Sequence, residues 1–204
     1  MTLSQICSRL AGRTPAPLDC TSSYAVLVPL VEREGQLHVL YELRAASLRR
    51  QPHEVCFPGG RMDPGESPEE CALRETWEEL SIPPEAVQVI APLDFICHRS
   101  GFLMYPILAR VDADAAAQLA CSPAEVEEAF FVPLEALRAM DPVQYRYELH
   151  PVPDEQFPYE LIGIPRNYPW QKGAESGPVY PWQGKAIWGL TARITRHLLE
   201  LTQP

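Results

Sequence analysis

The run Tyr24 to Val31 (YAVLVPLV) is apolar and rich in β-branched residues, and Gln36 to Leu43 (QLHVLYEL) partly alternates. Glu34-Gly35 between them is turn chemistry, so the pattern predicts a β-hairpin. Pro58-Gly59-Gly60 then breaks the chain ahead of a helix that opens on Ser67-Pro68-Glu69-Glu70. Ser67 is the N-cap, Pro68 takes the first helical position and Glu70 completes a capping box. This helix should run to about Leu80 and stop by Pro83-Pro84. Further strands are expected at Val87 to Ile96, Phe102 to Val111 and Val126 to Val132, followed by a short helix from Leu134 to Met140. Ile187, Leu190, Ile194, Leu198 and Leu201 recur at helical period and predict a last helix over about 186–201. Strands dominate and helices interrupt them irregularly, which is the pattern of an α+β fold with a mixed sheet. We read residues 1–204 as one domain.

Residues 165–184 follow neither period. Tyr168, Trp170, Tyr180 and Trp182 stand there among prolines, a composition suited to packing on something rather than to a floppy linker. Two roles are open for it: a flap over a sheet edge, or a binding loop whose aromatics line a channel for part of a substrate.

Hydrophobic residues make up 46% of the chain and charged residues 22%, the balance of a soluble globular protein. No apolar run approaches the ~18 residues of a membrane span, and Met1 to Ala11 lacks a basic segment followed by an apolar one. A cytoplasmic protein with no membrane partner is the expectation. The six cysteines (Cys7, Cys20, Cys56, Cys71, Cys97, Cys121) show no CxxC pair and no finger-spaced histidine, so they are read as reduced thiols. A net charge of −10 argues against a nonspecific grip on nucleic acid. The charge is uneven: from Met62 to Glu79 seven acids face one base, Arg74, while Arg44, Arg49, Arg50 and Arg61 make a basic stretch just upstream.

At 100° per residue, Ala72, Leu73, Thr76 and Leu80 share the packing face of the acidic helix, and Glu75, Glu78 and Glu79 fall on an adjacent arc. Three carboxylates there repel one another. A Glu-rich arc of this kind is ordinarily a solvated face; the sharper reading is a site for a hard divalent cation, Mg2+ or Mn2+, which takes oxygen ligands.

Gly60, five residues, Glu66, seven residues, Arg74-Glu75, two residues and Glu78-Glu79 resemble the signature of the Nudix hydrolases over residues 60–82. Six letters at fixed spacing arise by chance with probability on the order of 10^-5 at average residue usage. Thr76 stands where that signature has an aliphatic residue and Ser81 where it has glycine. The resemblance implies an α/β/α sandwich around a mixed sheet, and hydrolysis of a nucleoside diphosphate linked to another moiety. It implies Glu78 and Glu79 as the main metal ligands, Glu75 as a third ligand or a base for water, the Gly59 carbonyl as a backbone ligand, and Glu66 and Arg74 as braces. A glutamate from a later loop is also implied; Glu125 is placed for it, with Glu127 and Glu128 as rivals. Metal-activated water attack on phosphorus gives an expected optimum on the alkaline side of neutral.

Leu40, Arg44, Ala45, Arg49 and Phe57 to Gly60 resemble in letter and spacing the pattern of the coenzyme A pyrophosphatase branch of that family. Tyr41, Glu42 and His53 depart from it, His53 replacing a glycine. Ile187 to Arg193 (IWGLTAR) is similar to the end of the same branch. The implied substrate is coenzyme A or an acyl-CoA, with Arg44, Arg49 and Arg61 as candidate substrate-binding residues, since arginine suits multidentate phosphate recognition. Arg50 is read as solvent-exposed. Another nucleotide, such as ADP-ribose or NADH, and a nucleotide sensor without turnover are the competing readings; the three intact carboxylates speak against the second.

Overall fold

A computed structural model describes residues 1–203; Pro204, the last residue of the expected domain, lies outside them. After the exposed helix α1 (Leu3–Leu10), the chain runs out along β1 (Ser22–Arg33) and back along β2 (Gln36–Arg44). The two strands pair antiparallel only from Leu30↔Val39 to Arg33↔Gln36. Beyond that they splay. Into the gap go β3 (Val55–Cys56), paired with Glu42 and Leu43 of β2, and β4 (Gly59–Arg61), paired with Tyr24 to Val26 of β1. Between β3 and β4 the Pro58 carbonyl accepts the Leu27 amide at 2.8 Å. Two buried strand edges cannot be left without partners, so the segment 55–61 acts as a wedge that satisfies both.

Helix α2 (Pro68–Leu80) begins as expected, with the Ser67 hydroxyl accepting the Glu70 amide and the Glu70 carboxylate accepting the Ser67 amide. It ends on Ser81 at φ 55°, the left-handed turn for which glycine is the usual residue, and the Ser81 amide still donates to the Trp77 carbonyl at 2.9 Å. The expected strand Val87 to Ile96 is two strands, β5 (Val87–Pro92) and β6 (Ile96–His98). The register on the neighbouring strand slips between Val89 and Ala91, and Pro92 offers no donor, so pairing stops and resumes at Ile96. That neighbour, β7 (Phe102–Val111), lies parallel to β1 from Ser22↔Phe102 to Val31↔Val111, which makes the sheet mixed. After α3 (Ala113–Ala117), β8 (Val126–Pro133) adds to the free edge of β2 and leads into α4 (Leu134–Ala139).

Half of residues 165–184, expected to lack regular structure, is strand. Following β9 (Val143–Leu149) and α5 (Tyr159–Ile162), β10 (Gly173–Trp182) pairs with β9 on one side and with β11 (Lys185–Ile187) on the other. Pro178 and Pro181 interrupt its pattern in the sequence. Because β11 takes residues 185–187, α6 (Gly189–Leu201) starts later than the expected 186.

β1 is covered on both faces. Ala25, Leu27 and Val31 pack with Cys71, Ala72 and Leu80 of α2, while Val26 and Val28 pack with Leu137 of α4 and Ile194 and Leu198 of α6. A strand buried on both sides reads as an unbroken apolar run, and the result is the α/β/α layering that the sequence implied. No helix of the described residues is long and apolar enough to cross a membrane. All six cysteines are free.

Helix α6 is fastened to the sheet by polar contacts inside an apolar layer. The Tyr41 hydroxyl, fully buried and pushed well above its ordinary pKa by burial, meets Thr195 Oγ1 at 2.9 Å, and the Thr191 hydroxyl donates to the Val55 carbonyl at 3.2 Å. Tyr41→Phe should lower the stability measured by urea unfolding by about 1 kcal/mol, the net worth of one such bond. An unchanged midpoint would show that the hydroxyl pair does not anchor α6.

Candidate functional site

The wedge lies against α2. The Gly59 amide donates to Glu79 Oε2 at 2.8 Å. A Cβ added to Gly59 would strike the Ala25 carbonyl and lie 2.6 Å from the Val26 Cα, and one added to Gly60 would land on the Glu75 carboxylate. Gly59 lets the backbone lie against β1, and Gly60 lets it come this close to the Glu75 carboxylate. Glu79, placed from the sequence on a polar edge of the helix, is 3% exposed. The reason is the wedge, which covers the arc that an isolated helix would show to water. Thr76 is fully buried as well, but its hydroxyl donates to the Ala72 carbonyl at 2.7 Å and leaves nothing unmet. Glu78, one residue and 100° from Glu79, faces outward; its contact is Arg74 Nη1 at 3.4 Å.

These residues border a cavity of about 780 Å³. Its walls include Glu75 and Glu79 of α2, Gly59, Gly60 and Arg61 of β4, Arg44 at the end of β2, and Glu125. The loop that carries Glu125 is tied to the end of α2: the Ala120 amide donates to the Leu80 carbonyl and the Ser122 amide to the Glu79 carbonyl, at 3.0 and 2.8 Å. The Glu125 carbonyl in turn accepts the Ala45 amide at 2.8 Å, beside Arg44. Glu127 and Glu128 point elsewhere, to His53 and to Lys185, each at 3.0 Å. Arg49 is not among the lining residues, and Arg50, read from the sequence as merely exposed, is. The aromatics expected to line a channel do not reach the cavity. Tyr168 and Trp170 cluster with Phe157, and Tyr180 sits in the core with Trp182 packed against it. Tyr180 and Trp182 belong to β10, whose pairing in the second sheet turns them to the core.

Like charges dominate. Burial first, then the Glu42, Glu75 and Glu125 carboxylates, push Glu79 up to about 9 against the pull of the Gly59 amide. Burial also raises Glu75, opposed by Arg74. The donors are all hard oxygens with a single amide and one guanidinium against them, a set that fits a hard divalent cation. Among the described residues no three acidic, His or Cys side chains already stand as a coordination sphere, because Glu79 is turned onto Gly59 and Glu75 onto Arg74.

Residues 21–151 match the family described as the NUDIX domain. The chain belongs to the Nudix family. It is 38% identical over 137 residues to a protein named Nudix hydrolase 3 of Caenorhabditis elegans, covering 66% of this chain and 57% of that one. It is 38% identical over 116 residues to a mouse protein named peroxisomal coenzyme A diphosphatase NUDT7, covering 56% and 48%. The chain thus spans about half the length of these two relatives. With a mouse protein named mitochondrial coenzyme A diphosphatase NUDT8 it shares 33% identity over 203 residues, 98% of this chain and 88% of that one.

The residues of the Nudix box that do not line the cavity brace it. Arg74 forks onto Glu66 through Nε and Nη2, at 2.8 and 3.1 Å, and reaches Glu75 Oε1 through Nη1 at 2.8 Å. His53 sits at φ 57°, so the backbone there asks for the glycine of the family pattern, and its ring turns away to Glu127. Three features of this Nudix site went unread in the sequence. Glu42 is 0% exposed beside the cavity; Cys56 Sγ donates to its Oε1 at 3.1 Å, while Oε2 has no partner among the described residues. Burial raises it to about 7. The others are Tyr145 and Tyr147 of β9, and Trp188. The strict alternation of Val143, Tyr145, Tyr147 and Leu149 with Gln144, Arg146 and Glu148 was a strand signal that could have found the tyrosines.

The Arg74 side chain, with help from the Asp63 amide, holds the Glu66 carboxyl at about 2. A carboxyl lowered on folding stabilises the fold above its unfolded pKa, and that stabilisation fades as pH falls toward the folded value. Glu66→Gln should therefore lower Tm at pH 7, with the gap to the native protein narrowing between pH 5 and pH 2. A gap that is constant with pH would show that the ion pair does not brace the box.

Proposed function

We propose that this chain hydrolyses the pyrophosphate bond of coenzyme A or an acyl-CoA with the help of a divalent cation, Mg2+ or Mn2+, giving 3′,5′-ADP and the corresponding phosphopantetheine. The observation that carries this reading is one cavity bordered both by carboxylates, Glu79 buried, Glu75 half-buried and Glu125 exposed, and by Arg44, Arg50 and Arg61. The carboxylates suit a cation and the arginines suit phosphates beyond it. Two relatives whose names say coenzyme A diphosphatase support the substrate. The two departures from the coenzyme A pattern that kept another nucleotide open, His53 and Glu42, place no new group on the cavity wall.

Glu79 and Glu75 would hold the cation from the helix, with the backbone of Gly59 and Gly60 beside them; Glu78, implied as a main ligand by the family resemblance, faces outward and does not line the cavity. When bound, the cation neutralises pyrophosphate oxygens and acidifies a water. Arg74 opposes the upward push of burial on Glu75 and holds its carboxylate beside Gly60. Glu125, which lines the same cavity, would accept a proton from the attacking water. Arg44 and Arg61 bind phosphate oxygens and so fix the in-line approach. The wall takes residues from both sheets, Ser22, Tyr24 and Val26 of β1 and Tyr145, Tyr147 and Glu175 of β9 and β10.

The decisive assay incubates the protein with Mg2+ or Mn2+ and coenzyme A, acyl-CoAs, ADP-ribose or NADH, with products identified by mass. We expect 3′,5′-ADP and phosphopantetheine; turnover of ADP-ribose or NADH without coenzyme A would refute the substrate, and no turnover at all would favour the sensor. Glu79→Gln preserves shape and the Gly59 hydrogen bond, so the fold should survive while kcat drops by roughly 10^2 to 10^3, as when an essential electrostatic group is removed. Retention of more than about a tenth of native turnover at saturating metal would remove Glu79 from the cation site.

A further inference from the structure

Beyond the phosphate-binding wall, the cavity ends in a surface that nothing in the hydrolytic step uses. Tyr145 and Tyr147 of β9 lie with ring centroids 6.2 Å apart and planes within 10° of each other. Trp188 meets Tyr145 edge-on at 6.3 Å. Tyr147 and Trp188 are each 42% exposed, so these aromatic faces are open to the cavity rather than buried in a core. The arrangement is held from behind. Gly177 is paired with Tyr145 across β9 and β10, and a Cβ there would lie 2.9 Å from the Tyr145 hydroxyl, so the glycine makes room for the ring to lie over the strand.

Charge separates this end from the other. Arg99 is the cation on the aromatic side, and it is taken up by Glu175 at 3.1 Å and the Tyr147 hydroxyl at 3.3 Å. Arg44 and Arg50, by contrast, stand on the far flank, and the Arg44 Nε is buried without a hydrogen-bond partner among the described residues. Arg44 ends β2 and Arg99 follows β6, which pairs with the outer edge of β7. The wedge, β1 and β7 separate β2 from β6, so at ~4.8 Å per strand the two flanks are roughly 19 Å apart. A polyanionic group belongs on the first flank and an uncharged one on the second.

Resting on the coenzyme A reading above, we propose that Tyr145, Tyr147 and Trp188 form the subsite for the pantetheine arm. Adenine and the 3′-phosphate are carried on one ribose, so the base must follow the 3′-phosphate to the arginine flank. What remains is a neutral chain of two amides and a dimethyl-bearing carbon. Aromatic faces bury its apolar parts.

The test compares kcat/KM for coenzyme A with that for a truncated analogue, the methyl ester of 3′-phospho-ADP, which keeps the scissile bond and lacks the arm. Tyr145→Ala and Tyr147→Ala should each lower kcat/KM for coenzyme A at least tenfold while changing that of the analogue less than twofold, and Tyr145→Phe should retain most activity. As a second readout, inhibition by phosphopantetheine should weaken about tenfold in Tyr145→Ala, with inhibition by 3′,5′-ADP unchanged. Equal losses on both substrates, or weakened inhibition by 3′,5′-ADP alone, would overturn the subsite while leaving the coenzyme A reading intact. Failure of the native protein to cleave coenzyme A would overturn both.

Discussion

The contact between the Gly59 amide and the Glu79 carboxylate exists because β1 and β2 part after a few residue pairs. Their separation admits the segment 55–61, which satisfies the two exposed edges and carries a glycine pair to the side of α2. A hairpin paired along its full length would leave no place for it. The helix is fixed on the same strands by Ala72 and Leu80 packing on Leu27 and Val31, so carboxylate and amide meet without either element having to bend.

That geometry concentrates negative charge in a place that hydrophobic burial alone would never choose. Glu79 and Glu42 are buried, Glu75 is half-buried, and each raises the proton affinity of another. Burying a carboxylate without compensation costs several kcal/mol. Arg74 offsets one of them, and its fork onto Glu66 keeps it from swinging deeper. The local conflict between charge and burial is the kind that marks a functional site rather than a stable core. On this account a bound cation would relieve it.

Much of this was legible in the sequence because it is local. The capping box, the box glutamates and the apolar run of β1 are each readable within a dozen residues, and each stands on its expected element, but Glu79 is buried and Glu78, expected as a main ligand, is turned outward. Strands of two or three residues, such as β3 and β4, carry no period, so the wedge was visible only as a Pro-Gly-Gly break. The choice of Arg50 over Arg49, and of Tyr145 over Tyr168, depends on which way a loop or a strand of the second sheet turns, a tertiary fact with no local signature. His53 shows the reverse: a departure that looked chemical is a backbone position at φ 57° whose side chain serves the surface.

The central claim is that the carboxylates gathered by the wedge hold a divalent cation, and direct Mn2+ binding tests it without reference to any substrate. Electron paramagnetic resonance of free Mn2+, titrated with protein at pH 8, should show saturable binding to the native chain and at least tenfold weaker binding to a folded Gly60→Ala variant, whose added methyl displaces Glu75. Equal affinity in the two proteins, or no binding to the native chain, would contradict the account.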